Sequence, residues 1–144
     1  MKDSVASSWE AEAENWVRWA RTPRHDPYWI YSPSFFDHIV APPGRETLEI
    51  GCGEGRVTRD LKARGHRVVA IDSSPTLLRY AREADPDGRY ELADAAALPF
   101  ADGSFDQVIA YNSLMDGYAG GSSRGGPCTE AGATLLRERD SSDE

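Results

Sequence analysis

The chain has 144 residues, 40% hydrophobic and 28% charged, which suits one domain with a core and leaves too little for two of ordinary size. Its formal charge of -8 gives no basic footprint for a nucleic-acid backbone, so no nucleic-acid partner is expected. Cys52 and Cys128 lack Cys-x-x-Cys or Cys/His spacing, which argues against a disulfide framework or a metal site, and no apolar run nears the roughly 20 residues that span a bilayer. The expected location is cytoplasmic, with no membrane partner.

In chain order, Trp9, Ala13, Trp16, Val17 and Ala20 recur at helical spacing and predict an amphipathic helix from Ser8 to Ala20, with Ser8 as its cap. Trp9, Trp16 and Trp19 read as packing residues. Pro23, Pro27 and Pro33 then break the pattern, leaving an aromatic linker, Tyr28-Trp29-Ile30-Tyr31, before a short helix over Ser34 to Val40. A strand over Glu46 to Gly51 enters a turn with glycine at 51, 53 and 55, and Val57, Leu61 and Ala63 mark the helix that follows, ended by Gly65. A second strand runs from Arg67 to Asp72, and Ser74-Pro75 opens a helix carrying Leu77, Leu78, Tyr80, Ala81 and Ala84. Further strands are predicted over Arg89 to Ala93 and Phe105 to Tyr111. Strands alternating with helices in this way predict a doubly wound, mostly parallel α/β sheet.

The first strand of such a sheet ends beside the ligand crevice, so Gly51, Gly53 and Gly55 present bare backbone there. A dinucleotide fingerprint needs its third glycine at position 56, where this chain has Arg56. Asp72 closes the second strand, 21 positions after Gly51, where a carboxylate can accept both hydroxyl protons of a ribose. Asp94 follows the third strand and can accept from an adenine amine, with Leu98 or a neighbouring alanine against the base. The three strand ends make a nucleoside pocket. Bland roles compete at each position: Asp72 can cap the following helix, and Glu49 either reaches the ligand's amino group through water or faces solvent. His25, His38 and His66 show no ligand spacing and read as structural or solvated.

Four segments in register, Leu48 to Gly55, Val69 to Pro75, Ala93 to Phe100 and Ser104 to Ala110, resemble the class I S-adenosylmethionine-dependent methyltransferases, in particular the type 11 and ubiquinone-biosynthesis-like group. The resemblance runs from about Ser8 to Met115 and implies a Rossmann-like fold that binds S-adenosyl-L-methionine and methylates a small-molecule acceptor. It implies Gly51, Gly53 and Gly55 by the methionine, Asp72 at the ribose, Asp94 and Ala95 at the adenine, Tyr111 with Asn112 near the transferred methyl, and Ser73 among the cofactor-binding residues. Glu49 completes the cofactor set, and residues 1–45 become a helical lid on the 46–116 core. Methyl transfer needs alignment more than a dedicated base, so no catalytic residue is named, although His25, Asp26, Tyr28 or Tyr31 in the lid could take a proton.

Family members continue with further strands, seven in all, whereas this chain offers about four. Five glycines lie between 117 and 127, and the charged end 137–144 builds no strand, so 117–144 is expected to be a disordered tail. One hypothesis for the change is a reading-frame shift near Asp116, since a shifted frame over Gly126 to Thr129 can encode Val-Leu-Ala-Pro; the other is an ordinary disordered tail. Two consequences are expected: the fourth strand becomes an unpaired edge open to self-association, and turnover is impaired. The alternatives are a noncatalytic nucleoside-binding fragment and, less favoured because of Arg56, an NAD-dependent dehydrogenase fragment.

Overall fold

The computed structural model describes residues 5–25, 27–111 and 133–136. Helices α1 (Val5–Arg21) and α2 (Tyr28–His38) precede β1 (Thr47–Ile50), α3 (Arg56–Ala63), β2 (Val68–Asp72), α4 (Pro75–Ala84), β3 (Arg89–Leu92), β4 (Gln107–Tyr111) and β5 (Ala133–Leu136). The sheet order is β3-β2-β1-β4-β5, with β1 to β4 mutually parallel. The chain therefore steps outward from β1 to β3 and returns to the other side of β1 with β4. That reversal opens a crevice above the carboxyl ends of β1 and β4, the place where doubly wound sheets bind ligands. At the opposite end Asp106 ties β4 to the approach of β1, its Oδ2 accepting from the amides of Arg45 and Glu46.

Alternation along the strands divides the core. Val68, Ala70, Ile109 and Tyr111 face a cluster with Phe35 and Phe36 of α2, Val57 and Leu61 of α3, and Leu78 and Ala81 of α4. Leu48, Ile50, Val69, Ile71 and Ala110 face the other way, against Ala93, Ala95, Phe100 and Phe105. A third, smaller cluster of Ala13, Val17 and Leu77 seats α1 on α4. Ser74 caps α4 as its sequence suggests, its Oγ accepting from Leu77 N at 3.1 Å with Pro75 in the first turn.

Three expectations need correction. Helix α1 begins at Val5, so Ser8 lies within it rather than capping it. The aromatic segment is no linker: Tyr28 to Tyr31 form the first turn of α2, where Pro27 accepts from the amides of Ile30 and Tyr31. Pro33 sits inside this helix and removes a single ladder bond, which burial of Tyr28, Phe35 and Phe36 offsets. The fourth strand is not an open edge either. β5 pairs with it antiparallel, from Val108↔Leu136 to Tyr111↔Ala133, so the backbone groups expected to recruit another chain are used within this one. β5 also falls in the segment expected to be a disordered tail; positions 112–132 and 137–144, including the proposed shift point, lie outside the described residues.

Candidate functional site

The glycine turn is anchored before it leaves the sheet. The amides of Gly51 and Cys52 both donate to Ile71 O, at 2.9 and 3.0 Å, extending the β1–β2 ladder beyond β1. Gly51, Gly53 and Gly55 then adopt left-handed φ of 72°, 55° and 85°. At Gly55 a side chain is excluded by space as well, because a Cβ would lie 3.0 Å from Tyr90 Oη and 3.2 Å from Ala81 Cβ. At Gly53 a Cβ would make only ordinary van der Waals contact, with Trp16 Nε1 nearest at 3.7 Å.

Asp72 closes the site from the β2 side. Its Oδ2 accepts from Gly53 N and its Oδ1 from Ser74 N, both at 2.9 Å. Burial pushes its carboxyl above the usual range, while bonds from the amides of Ser74, Gly53 and Ser73 oppose the rise. Asp72 does not cap α4, which Ser74 caps; it fixes the loop ahead of that helix, a role compatible with a place at the ligand crevice, since each oxygen keeps a further lone pair. The amide of Ala93 donates to Asp72 O at 3.1 Å and brings the end of β3 alongside. Asp94, one residue on, is exposed and accepts from Ala96 N at 2.8 Å through Oδ1. Ala95 is half-buried against the second cluster, and Leu98 is 40% exposed.

Glu49 does not face solvent. It is buried within β1, accepts from the Thr58 hydroxyl through Oε2, and is pushed up to about 7 by that burial. Cys52 is a buried free thiol, also raised by burial. Tyr111 stands at the end of β4 as expected, but its ring is packed edge-on against Tyr28 and Phe35, at centroid distances of 5.4 and 5.0 Å. Asn112 lies outside the described residues. Turn, Asp72, Ser73, Glu49, the Asp94 loop and Tyr111 thus collect at one end of β1 to β4, with Glu49 and Tyr111 buried beneath the rest.

The amino-terminal helices reach this end through contacts that sequence reasoning did not find. Glu10 of α1 accepts from the hydroxyls of Ser74 and Thr76, which holds its own carboxyl below the usual range. Glu14 accepts from Tyr80 Oη and pairs with Arg79 at 3.2 Å. The Arg56 guanidinium lies between two rings, 4.3 Å from the Tyr28 centroid and 5.3 Å from that of Trp16, so α1 and α2 meet at the residue that follows the turn. Beside it Glu54, 2% exposed, accepts from Arg21 at 3.0 Å and from Arg59 at 2.8 Å. Among the proton acceptors suggested for the lid, the Tyr28 hydroxyl donates to Asp60 and its phenol is raised by burial, so it is a poor base. His25 and Tyr31 are exposed, and Asp26 lies outside the described residues. Among the described residues no cluster of three metal-ligating side chains forms, and no helix is long and apolar enough to cross a membrane.

Residues 48–116 match the family described as "Methyltransferase domain". The chain is similar to a demethylmenaquinone methyltransferase of Renibacterium salmoninarum, 39% identical over 72 residues, which is 50% of this chain and 30% of that protein. It is 44% identical over 69 residues to a malonyl-[acyl-carrier protein] O-methyltransferase of Erwinia pyrifoliae, covering 46% of this chain and 26% of the relative. The chain thus spans less than a third of the length of these relatives. Among solved structures, a TehB-like SAM-dependent methyltransferase from Corynebacterium glutamicum superposes with a TM-score of 0.55 at 29% identity, over 72% of this chain and 54% of the other.

Proposed function

Residues 48–116 belong to the class I S-adenosylmethionine-dependent methyltransferases, and from that premise we propose that the chain binds S-adenosyl-L-methionine and methylates a small-molecule acceptor. The observation that carries the reading is the 2.9 Å bond from Gly53 N to Asp72 Oδ2. It joins a turn with glycine at alternate positions to the carboxylate that ends the neighbouring β2, a donor and acceptor set that fits an amino-acid tail on one side and a ribose on the other. Gly51, Gly53 and Gly55 take the methionine, Asp72 and Ser73 the ribose, and Asp94 with Ala95 the adenine. Glu49 acts from below the turn, held by Thr58. Tyr111 and Asn112 are assigned to the transferred methyl.

When bound, the cofactor supplies a methyl group already activated on a sulfonium, leaving alignment and exclusion of water to the protein. Trp16 of α1 and Tyr28 of α2, meeting on Arg56 at the start of α3, are the residues proposed for that work, the two helices forming a lid over the turn. The proton of the acceptor leaves to solvent or to an unassigned group.

Titration of the chain with S-adenosylhomocysteine, S-adenosylmethionine and NAD tests the proposal. Binding of the two adenosyl ligands, with methyl transfer to an acceptor, supports it. Binding without turnover by any acceptor assigns the chain instead to noncatalytic nucleoside binding, and binding of NAD alone to a dehydrogenase fragment.

A further inference from the structure

Trp16 is half-buried on α1, and its Nε1 lies 3.7 Å from where a Gly53 Cβ would stand. Its ring is fixed by neighbours: Trp9 meets it edge-on at a centroid distance of 5.9 Å, Trp19 stands 5.1 Å away, and the Arg56 guanidinium is 5.3 Å from its centroid. The helix that carries it is tied down on both sides, by Glu10 on Ser74 and Thr76 and by Arg21 on Glu54. An indole N–H can only donate, and among the described residues nothing accepts from Trp16 Nε1.

The turn beside it has already committed its own donors. The amides of Gly51 and Cys52 go to Ile71 O, that of Gly53 to Asp72 and that of Gly55 to Cys52 O. These glycines therefore give room to a ligand's amino-acid tail rather than hydrogen bonds to its carboxylate. Glu49 and Asp72, near enough for Asp72 to help raise the Glu49 carboxyl, suit the tail's ammonium and disfavour its carboxylate. The carboxylate needs a donor from outside the turn.

We propose that Trp16 donates from Nε1 to the carboxylate of the cofactor's methionine tail. This makes Trp16 a specificity-determining residue, one that separates adenosyl ligands carrying that carboxylate from those lacking it. It also lets the tail hold α1 against the turn. The inference rests on the methyl-transfer reading, which supplies the ligand.

The test compares S-adenosylhomocysteine with its decarboxylated analogue, which keeps the amine, on the full chain. Nitrogen–proton correlation spectra follow the indole signals of the four tryptophans at saturation with each ligand. The Trp16 indole proton should shift downfield and exchange with water about fivefold more slowly with S-adenosylhomocysteine, and stay in place with the analogue. In calorimetry S-adenosylhomocysteine should bind about tenfold more tightly than the analogue. Trp16→Phe keeps a ring against Trp9 and Arg56; it should cut that ratio to about twofold or less, through loss of S-adenosylhomocysteine affinity alone.

A loss in Trp16→Phe that is equal for both ligands, or no loss for either, overturns the inference. So does a Trp16 indole proton that S-adenosylhomocysteine leaves unmoved, and this signal in the parent chain decides alone if the variant does not fold. When S-adenosylhomocysteine binds and Trp16 does not respond, the inference fails by itself. When S-adenosylhomocysteine does not bind, the methyl-transfer reading fails and takes the inference with it.

Discussion

Gly53 donates its amide to Asp72 Oδ2 at 2.9 Å, so the turn after β1 and the carboxylate after β2 hold one another in place. Asp72→Asn should disturb both. Asparagine keeps one carbonyl oxygen but turns an NH2 toward the amide of Gly53 or Ser74, leaving one donor facing another. Stability should fall by about 1–3 kcal/mol in urea denaturation, and S-adenosylhomocysteine affinity by about tenfold or more in calorimetry. Unchanged affinity in a folded variant would remove Asp72 from the ribose site.

Alanine at the two inner glycines should separate binding from folding. At Gly53 a Cβ would meet its neighbours at ordinary van der Waals distance, so Gly53→Ala meets mainly the left-handed backbone penalty, about 1–2 kcal/mol. At Gly55 the contacts with Tyr90 and Ala81 add overpacking, for a total of roughly 2–5 kcal/mol. Gly53→Ala is expected to fold yet bind S-adenosylhomocysteine weakly, whereas Gly55→Ala should lower the melting temperature markedly. The reverse order of melting temperatures would contradict the packing described for the turn.

Glu49 predicts a pH dependence. Its folded pKa of about 7 lies above the ordinary carboxylate value of 4.5, so between these limits the folded chain holds a proton that the unfolded chain has released. This contribution to stability is fully present below about 4.5, declines as pH rises toward 7, and is absent above it. Glu49→Gln can still accept from the Thr58 hydroxyl and carries no charge at any pH. The stability of the variant relative to the parent should therefore increase from pH 4.5 to 7 and then level off, as read by denaturation at a series of pH values. A difference that does not vary with pH would mean that Glu49 is ionised throughout.

β5 makes a prediction about association. Deleting residues 133–144 removes the antiparallel partner of Val108 to Tyr111 and exposes the outer backbone of β4. Light scattering after gel filtration should then show concentration-dependent oligomers that are weaker or absent in the full chain. A truncated form that stays monomeric at high concentration would count against β5 as the cover of this edge.

The sequence revealed most clearly what short-range rules control. Gly51, Gly53 and Gly55 announce a turn, Ser74-Pro75 announces a helix start, and the segments Glu46 to Gly51 and Arg67 to Asp72 announce strands, whose burial on both faces, Glu49 included, only the fold shows. Pro33 misled because proline signals a break, while the burial of Phe35 and Phe36 settled the matter in favour of a helix. The partners of Glu10, Glu14 and Glu54 were hidden for a different reason. Ser74 is 64 residues from Glu10, and Arg21 is 33 from Glu54, separations that only a folded chain brings to zero. Thr58 was the nearest to legible, nine residues from Glu49 and just across the turn.

The attachment of α1 differs in kind from that of the strands. β1, β2 and β4 are joined by backbone ladders through a continuous core, whereas α1 rests on α4 through Ala13, Val17, Leu77 and the carboxylates of Glu10 and Glu14. Helix and sheet should therefore open as separate cooperative units, with α1 the first to open beside the turn at Gly53. Amide exchange should reveal two populations: α1 opening on its own, at low free energy, and the central strands exchanging only when the whole chain unfolds. Ligand residence time would then follow the first of these rates and be insensitive to the second.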